Sequence, residues 1–219
     1  MQRLHNSITG RTEKAILRHL CWRMPSWITP DLLTGLGFLG AVVMCMSYWL
    51  AERSIALLWG GIFGLILNWL GDSLDGSLAR YRGIERPQYG FFLDHTVDSF
   101  AMALVALGIG LSPMAHFWCA LLALGGYYII VILSLTTCLA TGVFRVSFGG
   151  IGPTEIRLGI ITCTISAALL HIAHFNVWGM DLTIYDGIIL ILTVGIVLTA
   201  VLQAYATVRE LATIDPPHY

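Results

Sequence analysis

The sequence predicts an all-α, polytopic integral membrane protein with six transmembrane helices and an N-terminal amphipathic helix at the membrane surface. Hydrophobic residues make up 57% of the 219 residues and charged residues only 11%, whereas an average soluble domain has about 25% charged residues. Uncharged stretches are long, and one runs from residue 99 to residue 144. At about 20 residues per span, the chain has room for six or seven spans and for no sizeable soluble domain.

The N-terminal segment, residues 1–27, combines basic and apolar residues. Between Arg11 and Met24 the apolar residues recur on one helical face and most charged residues lie elsewhere, a pattern typical of a helix that lies on the membrane surface. Trp22 and Trp27 would then lie at headgroup depth. A solvated leader is the alternative. The segment has no apolar core followed by a small-residue cleavage site, so we expect no cleaved signal peptide.

Proline, glycine and charged residues divide the transmembrane domain, residues 28–210, into six spans. Thr29 and Pro30 are suited to start the first helix as cap and first-turn residue. Residues 211–219 form a polar C-terminal tail. The predicted spans cover approximately residues 32–50, 54–80, 88–110, 113–141, 153–175 and 187–208.

The distribution of basic residues predicts the orientation in the membrane. With six spans both termini lie on one side, and eleven of the twelve Lys and Arg residues fall on that side, while Arg53 falls opposite. Because basic residues concentrate in cytoplasmic loops, we expect both termini to be cytoplasmic. The net charge of −1 and the lack of any nucleic-acid-binding motif argue against nucleic acid as a partner.

Four of the eight aspartates fall within 27 residues of this apolar chain. Asp72 and Asp75 are three residues apart on the second span, and Asp94 and Asp98 are four apart on the third, so each pair shares a helical face. On neighbouring antiparallel spans the four carboxylates would meet. They cannot all stay ionised there unless cations neutralise them. Carboxylates in membrane spans are functional by default.

Oxygen-only ligands favour a hard divalent cation, Mg²⁺ or Mn²⁺, which commonly also binds phosphate oxygens of a substrate. Gly76, Ala79 and Gly90 leave space beside the aspartates for a flat or bulky ligand such as a nucleotide. Arg80 is suited to meet a phosphate or to pair with an aspartate. The alternative for the small residues is that they only let the second and third spans pack closely.

The pattern Asp72-x2-Asp75-Gly76-x2-Ala79-Arg80, followed by Gly90-x3-Asp94-x3-Asp98, resembles the signature of the CDP-alcohol phosphotransferases, membrane enzymes that make phospholipids. The nine residues between Arg80 and Gly90 are one more than is common in that family. Many members also have Pro-Asn at the first span, where this chain has Pro30-Asp31 followed by Leu33-Thr34. The role of that turn stays open.

The resemblance implies a division of roles among the motif residues. Asp72, Asp75, Asp94 and Asp98 would surround two Mg²⁺ or Mn²⁺ ions, and Asp98 would also be the general base that deprotonates the acceptor hydroxyl. The cytidine diphosphate site would be lined by Gly76, Ala79, Arg80 and Gly90. The alcohol would attack the phosphorus next to the CMP leaving group. The resemblance further implies a homodimer among membrane lipids. Together with the orientation predicted from the basic residues, we expect a bacterial inner membrane and a cytoplasmic active site.

The donor and the acceptor stay open at this point. The short chain favours CDP-diacylglycerol with a small polar alcohol or alcohol phosphate, whereas the Asp94-His95 pair resembles the branch that transfers from CDP-choline or CDP-ethanolamine to a lipid alcohol. Four arginines could bind a phosphorylated acceptor or simply follow the positive-inside rule: Arg82, Arg86, Arg145 and Arg157.

Two other classes of protein also use clustered carboxylates. A divalent-cation transporter would need acidic residues at the membrane midplane and repeat symmetry, neither of which the sequence indicates. A membrane prenyltransferase also places aspartates and Mg²⁺ at a diphosphate, but this chain continues from Asp75 into Gly-x2-Ala-Arg, which that class lacks.

Overall fold

A computed structural model of the chain describes residues 2–4, 10–145, 153–177 and 179–214. This part of the chain is mainly helical, as predicted. The helices are α1 (Gly10–Arg23), α2 (Pro30–Leu50), α3 (Leu58–Arg82), α4 (Pro87–Gly110), α5 (Phe117–Thr141), α6 (Pro153–Leu169) and α7 (Ile184–Ile214). A short 3₁₀ turn, Ile55–Leu57, leads into α3.

Two short sheets accompany the helices and were not predicted. Strand β1 (Gln2–Leu4) pairs in parallel with β2 (Val143–Arg145). Strands β3 (His174–Val177) and β4 (Met180–Thr183) form an antiparallel hairpin before α7. In the hairpin turn, Gly179 has a φ of 83°, a left-handed conformation that favours glycine.

Five helical segments of the described chain are long and apolar enough to span a membrane. They are Pro30–Leu50, Ile55–Arg82, Pro87–Gly110, Phe117–Thr141 and Ile184–Ile214. Helix α6 has 17 residues and ends at Leu169 rather than near Phe175. At 1.5 Å per residue it is about 25 Å long, which is short for a span. The sixth span therefore stays a prediction.

Helices α2 and α3 are antiparallel and form the most extensive helix pair in the described chain. Glycines on both helices permit this approach. A Cβ atom added at Gly40 would lie 2.6 Å from the carbonyl oxygen of Gly64, and one at Gly71 would lie 2.5 Å from the Cα of Gly37. Contacts this short leave no room for a side chain. Helix α4 packs on α2, and α6 packs on α3.

Helix α1 covers one end of this pair. Leu17 and Cys21 are buried in a cluster with Leu74 of α3, whereas Trp22 and Trp27 are exposed. The apolar face of α1 thus packs against protein, and its position at the membrane surface stays a prediction. In the predicted C-terminal tail, residues 211–214 belong to α7, and residues 215–219 lie outside the described residues, as does the glycine-rich segment 146–152.

Candidate functional site

Helices α3 and α4 bring three of the four motif aspartates together. One carboxylate oxygen from each of Asp72, Asp94 and Asp98 lies within 4.8 Å of the others, and all three residues are half-buried. Both helices pack on α2, which places these side chains around one cavity. The connection between them is short: α3 ends at Arg82, the next residue Gly83 has a φ of 66° that terminates the helix, and α4 begins at Pro87. Helical spacing predicted that Asp94 and Asp98 share a face.

Asp75 lies outside this group of three and is hydrogen-bonded to helix α2. The hydroxyl of Thr34 donates a hydrogen bond to Asp75 Oδ2 at 2.6 Å, and the backbone N–H of Gly76 is 2.5 Å from Oδ1. Asp75 nevertheless lines the same narrow cavity as the three other aspartates. Thr34 and Asn68 also line that cavity. The sequence left the role of the turn at Thr34 open.

Among the arginines whose side chains the structure describes, Arg157 pairs with this cluster. Its Nη2 donates to Asp72 Oδ2 at 2.6 Å, and the two side chains are only 16% and 21% exposed. The residue lies in the second turn of α6, 85 positions from its partner. It supplies a positive charge that partly compensates the carboxylates, which an apolar surrounding would otherwise destabilise. Nothing in the local sequence indicates this partner.

Two other arginines tie helix ends together. Arg82 donates to the carbonyl oxygens of Ile28 and Pro25 at 2.6 and 2.8 Å, which fixes the segment between α1 and α2. Arg86 pairs with Asp31 at 2.6 Å, and this hydrogen bond raises the pKa of the guanidinium above its ordinary value. The side chain of Arg145 lies outside the described part of the chain.

The residues predicted for the nucleotide are half-buried or exposed. Arg80 is exposed and donates to Ser77 Oγ at 3.3 Å, and a Cβ atom added at Gly76 would lie 3.3 Å from Arg80 Nη1. Glycine at position 76 thus leaves room for the guanidinium. Ala79 is half-buried, and a Cβ at Gly90 would have no described atom within 4 Å. Their part in nucleotide binding stays a prediction.

The donor set fits a hard divalent cation. The converging atoms are carboxylate oxygens from two rigid helices, which are the ligands that Mg²⁺ and Mn²⁺ prefer. Asp75 can add a fourth carboxylate from the cavity wall. The Arg157 guanidinium bound to Asp72 supplies positive charge to the cluster, as a bound divalent cation would.

A larger cavity of about 380 Å³ lies at the other end of the bundle, and its described lining includes Glu52, His116 and His174 but no motif aspartate. Beside it, the fully buried Asp186 accepts hydrogen bonds from the backbone N–H of His116 at 2.8 Å and from Thr183 N–H at 2.8 Å, and its Oδ2 lies 2.7 Å from His116 Nδ1. These bonds join the start of α5 to the start of α7. Holding these two helix ends together is a sufficient structural role for Asp186.

Comparison with known proteins bears directly on this site. Residues 27–208 match the sequence model of the CDP-alcohol phosphatidyltransferases. A phosphatidylinositol phosphate synthase of Cutibacterium acnes is 38% identical over 84 residues, a match that spans 38% of this chain and 38% of that protein. An uncharacterized protein of Aquifex aeolicus is 27% identical over 186 residues, 84% of each chain.

A solved structure supports the architecture. The phosphatidylinositol phosphate synthase of Mycobacterium tuberculosis with CDP-DAG bound superposes with a TM-score of 0.54 over 95% of this chain and 100% of that chain, at 22% identity. At this identity the likeness concerns the fold. The family match extends from just before α2 into α7 and includes the whole aspartate motif. The chain therefore belongs to the CDP-alcohol phosphatidyltransferase family.

Proposed function

We propose that this enzyme transfers a phosphatidyl group from CDP-diacylglycerol to the hydroxyl of a small polar alcohol, in particular an alcohol phosphate, and releases CMP. The observation that carries the proposal is the convergence of Asp72, Asp94 and Asp98 on one cavity within the family motif. The choice of donor is supported by the relative whose structure contains CDP-DAG. The phosphatidylinositol phosphate synthase of C. acnes supports the same class of product.

The motif residues would hold the donor and its metal ions. Asp72, Asp75, Asp94 and Asp98 would bind two Mg²⁺ or Mn²⁺ ions, which when bound supply positive charge to the phosphate oxygens. Arg80 is exposed and lies next to Gly76, which has no side chain, so its guanidinium is suited to bind a diphosphate oxygen. Gly90 leaves open space at the start of α4 for the rest of the nucleotide. Ala79 would line the same site.

Asp98 would act as the general base. Its carboxylate would accept the proton of the acceptor hydroxyl, and the alcohol oxygen would form a new bond to the phosphorus of the phosphatidyl group. The bond from that phosphorus to the CMP oxygen breaks, and CMP leaves with its electron pair. Asp98 is suited to this role because it is half-buried on the rigid helix α4, next to Asp72 and Asp94.

Arg157 favours an acceptor that carries a phosphate. Its guanidinium lies at the edge of the aspartate cluster, bound to Asp72, and planar guanidinium groups recognise phosphate well. Arg82 and Arg86 are occupied with helix ends. Among the described residues no such observation favours the CDP-choline or CDP-ethanolamine branch. The ring nitrogen Nδ1 of His95, the residue that suggested this branch, lies 2.9 Å from the carbonyl oxygen of Phe91 on its own helix.

We also propose a cytoplasmic active site in a bacterial inner membrane and a homodimeric enzyme. The orientation is supported by the arginines at the aspartate end of the bundle, Arg80, Arg82, Arg86 and Arg157, against Arg53 at the other end. The dimer and the bacterial membrane rest on the resemblance to the family.

The base assignment is tested with Asp98→Asn. The variant should lose CMP release while largely retaining metal-dependent binding of CDP-diacylglycerol, because the amide keeps the shape and one oxygen ligand, and the three other aspartates remain, but the amide cannot accept the proton. Asp181→Asn is the control, since Asp181 is an exposed residue of β4 at the other end of the bundle. Turnover by Asp98→Asn comparable with the wild type would exclude Asp98 as the base.

A further inference from the structure

Thr34 is a buried polar residue outside the aspartate motif. It lies in the second turn of α2 and is 8% exposed. Its hydroxyl is 2.6 Å from Asp75 Oδ2 and 3.2 Å from the carbonyl oxygen of Pro30 one turn earlier. A threonine in a helix commonly donates to such a carbonyl. Here the shorter bond joins α2 to a charged acceptor on α3.

Two donors from different helices fix the carboxylate of Asp75. Thr34 holds Oδ2, and the N–H of Gly76 is directed at Oδ1. Asp75 is 8% exposed, so little water is available to replace either bond. A carboxylate with a donor at each oxygen cannot rotate freely about its terminal bond. Its orientation toward the cavity shared with Asp72, Asp94 and Asp98 is therefore set before any ligand arrives.

We propose that Thr34 is a positioning residue for the divalent-cation site, and that its hydroxyl holds Asp75 in the orientation in which this carboxylate becomes a metal ligand. The proposal rests on the proposed function in one respect, the use of Asp75 as a metal ligand. Hydrogen bonds to a ligating carboxylate orient it and tune its affinity, and their loss typically lowers metal affinity or activity by about 10-fold to 100-fold. Thr34 thereby gives the turn after Pro30-Asp31 a function.

The test measures Mn²⁺ binding to the purified full-length protein in lipid nanodiscs, without substrate, from the decrease in the EPR signal of free Mn²⁺. Thr34→Val keeps the side-chain shape and removes the hydroxyl, and we expect its dissociation constant to rise by about 10-fold to 100-fold. Thr34→Ser retains the hydroxyl and should remain within about threefold of the wild type, because the effect lies in the donor group alone.

Thr137→Val is the matched control. Thr137 is likewise a buried threonine in a span, and its hydroxyl has no hydrogen-bond partner among the described residues. Its replacement should leave Mn²⁺ affinity unchanged. If Thr34→Val does not fold, as judged by thermal unfolding in EDTA, Thr34→Ala is used in its place. A role of Thr34 in positioning Asp75 predicts weaker Mn²⁺ binding in Thr34→Val but not in Thr34→Ser. A general loss of stability would instead appear in thermal unfolding.

Three results would overturn the proposal: no saturable Mn²⁺ binding by the wild type, unchanged affinity in Thr34→Val, or an equal loss in Thr34→Ser. Release of CMP from CDP-diacylglycerol by the wild type is measured separately. If Mn²⁺ affinity depends on the Thr34 hydroxyl but the protein releases no CMP, the proposed function is refuted and the role of Thr34 stands.

Discussion

Replacing Gly71 with alanine should push α2 and α3 apart and move the aspartates that follow on α3. A Cβ atom at position 71 would lie 2.5 Å from the Cα of Gly37 and 2.5 Å from the carbonyl oxygen of Leu33. Carbon atoms in favourable contact are about 3.5 Å apart or more, so the helices must separate by about 1 Å. Both obstructing atoms belong to the backbone and cannot rotate away.

Two effects should follow from this separation. Overpacking of this kind typically destabilises a protein by about 1–3 kcal/mol. Asp72 is the next residue along α3, and a misplacement of about 1 Å in a catalytic site can lower the rate by about 100-fold. We therefore expect Gly71→Ala to lower both the melting temperature and the turnover number. The turnover of the protein that remains folded should fall by up to about 100-fold.

Gly35→Ala is the control for Gly71→Ala. Gly35 lies on α2, the helix against which Gly71 of α3 packs, but a Cβ atom there would have no described atom within 4 Å. Alanine should be tolerated at this position and should even stabilise the helix by about 0.5–1 kcal/mol. Both variants are compared by thermal unfolding and by CMP release. Wild-type stability and turnover in Gly71→Ala would refute the role assigned to this close packing.

Three further predictions follow from individual contacts. Arg157→Gln should bind Mn²⁺ more tightly than the wild type without substrate, because Asp72 loses a competing cation, and weaker binding would contradict this competition. Arg82→Gln should leave Mn²⁺ affinity unchanged and lower the melting temperature, since its guanidinium bonds four backbone carbonyls between α1 and α2. Asp186→Asn should destabilise the protein by about 1–3 kcal/mol, because one buried donor, such as the His116 N–H, loses its acceptor. Its specific activity should stay normal, and a selective loss of activity would show a role beyond structure.

Helical spacing made part of the aspartate cluster predictable. Residues four apart lie only about 40° apart around a helix, so Asp94 and Asp98 must point the same way. That α3 and α4 both pack on α2, which places their aspartates around one cavity, is a tertiary contact that the spacing does not indicate. Asp72 and Asp75, three apart, differ by about 60°. That difference is enough for Asp75 to contact Thr34 of α2 while it still lines the shared cavity, and the spacing alone does not indicate this contact.

Other parts of the structure depend on contacts distant in the sequence. The ion pair between Arg157 and Asp72 joins positions 85 residues apart, and no local pattern encodes it. The apolar residues after Leu169 favoured a span that continues to Phe175. The chain instead forms the β3–β4 hairpin there, for which the turn around Gly179 was a local signal.

The proposed function is transfer of the phosphatidyl group of CDP-diacylglycerol to a small polar alcohol or alcohol phosphate in a divalent-cation-dependent reaction. The direct measurement incubates the purified protein in lipid nanodiscs with radiolabelled CDP-diacylglycerol, CDP-choline or CDP-ethanolamine, with Mg²⁺ or Mn²⁺ and a panel of acceptors. We predict CMP release from CDP-diacylglycerol with an alcohol phosphate as acceptor, and none after chelation of the metal. CMP release from CDP-choline or CDP-ethanolamine alone, or from no donor at all, would contradict the claim.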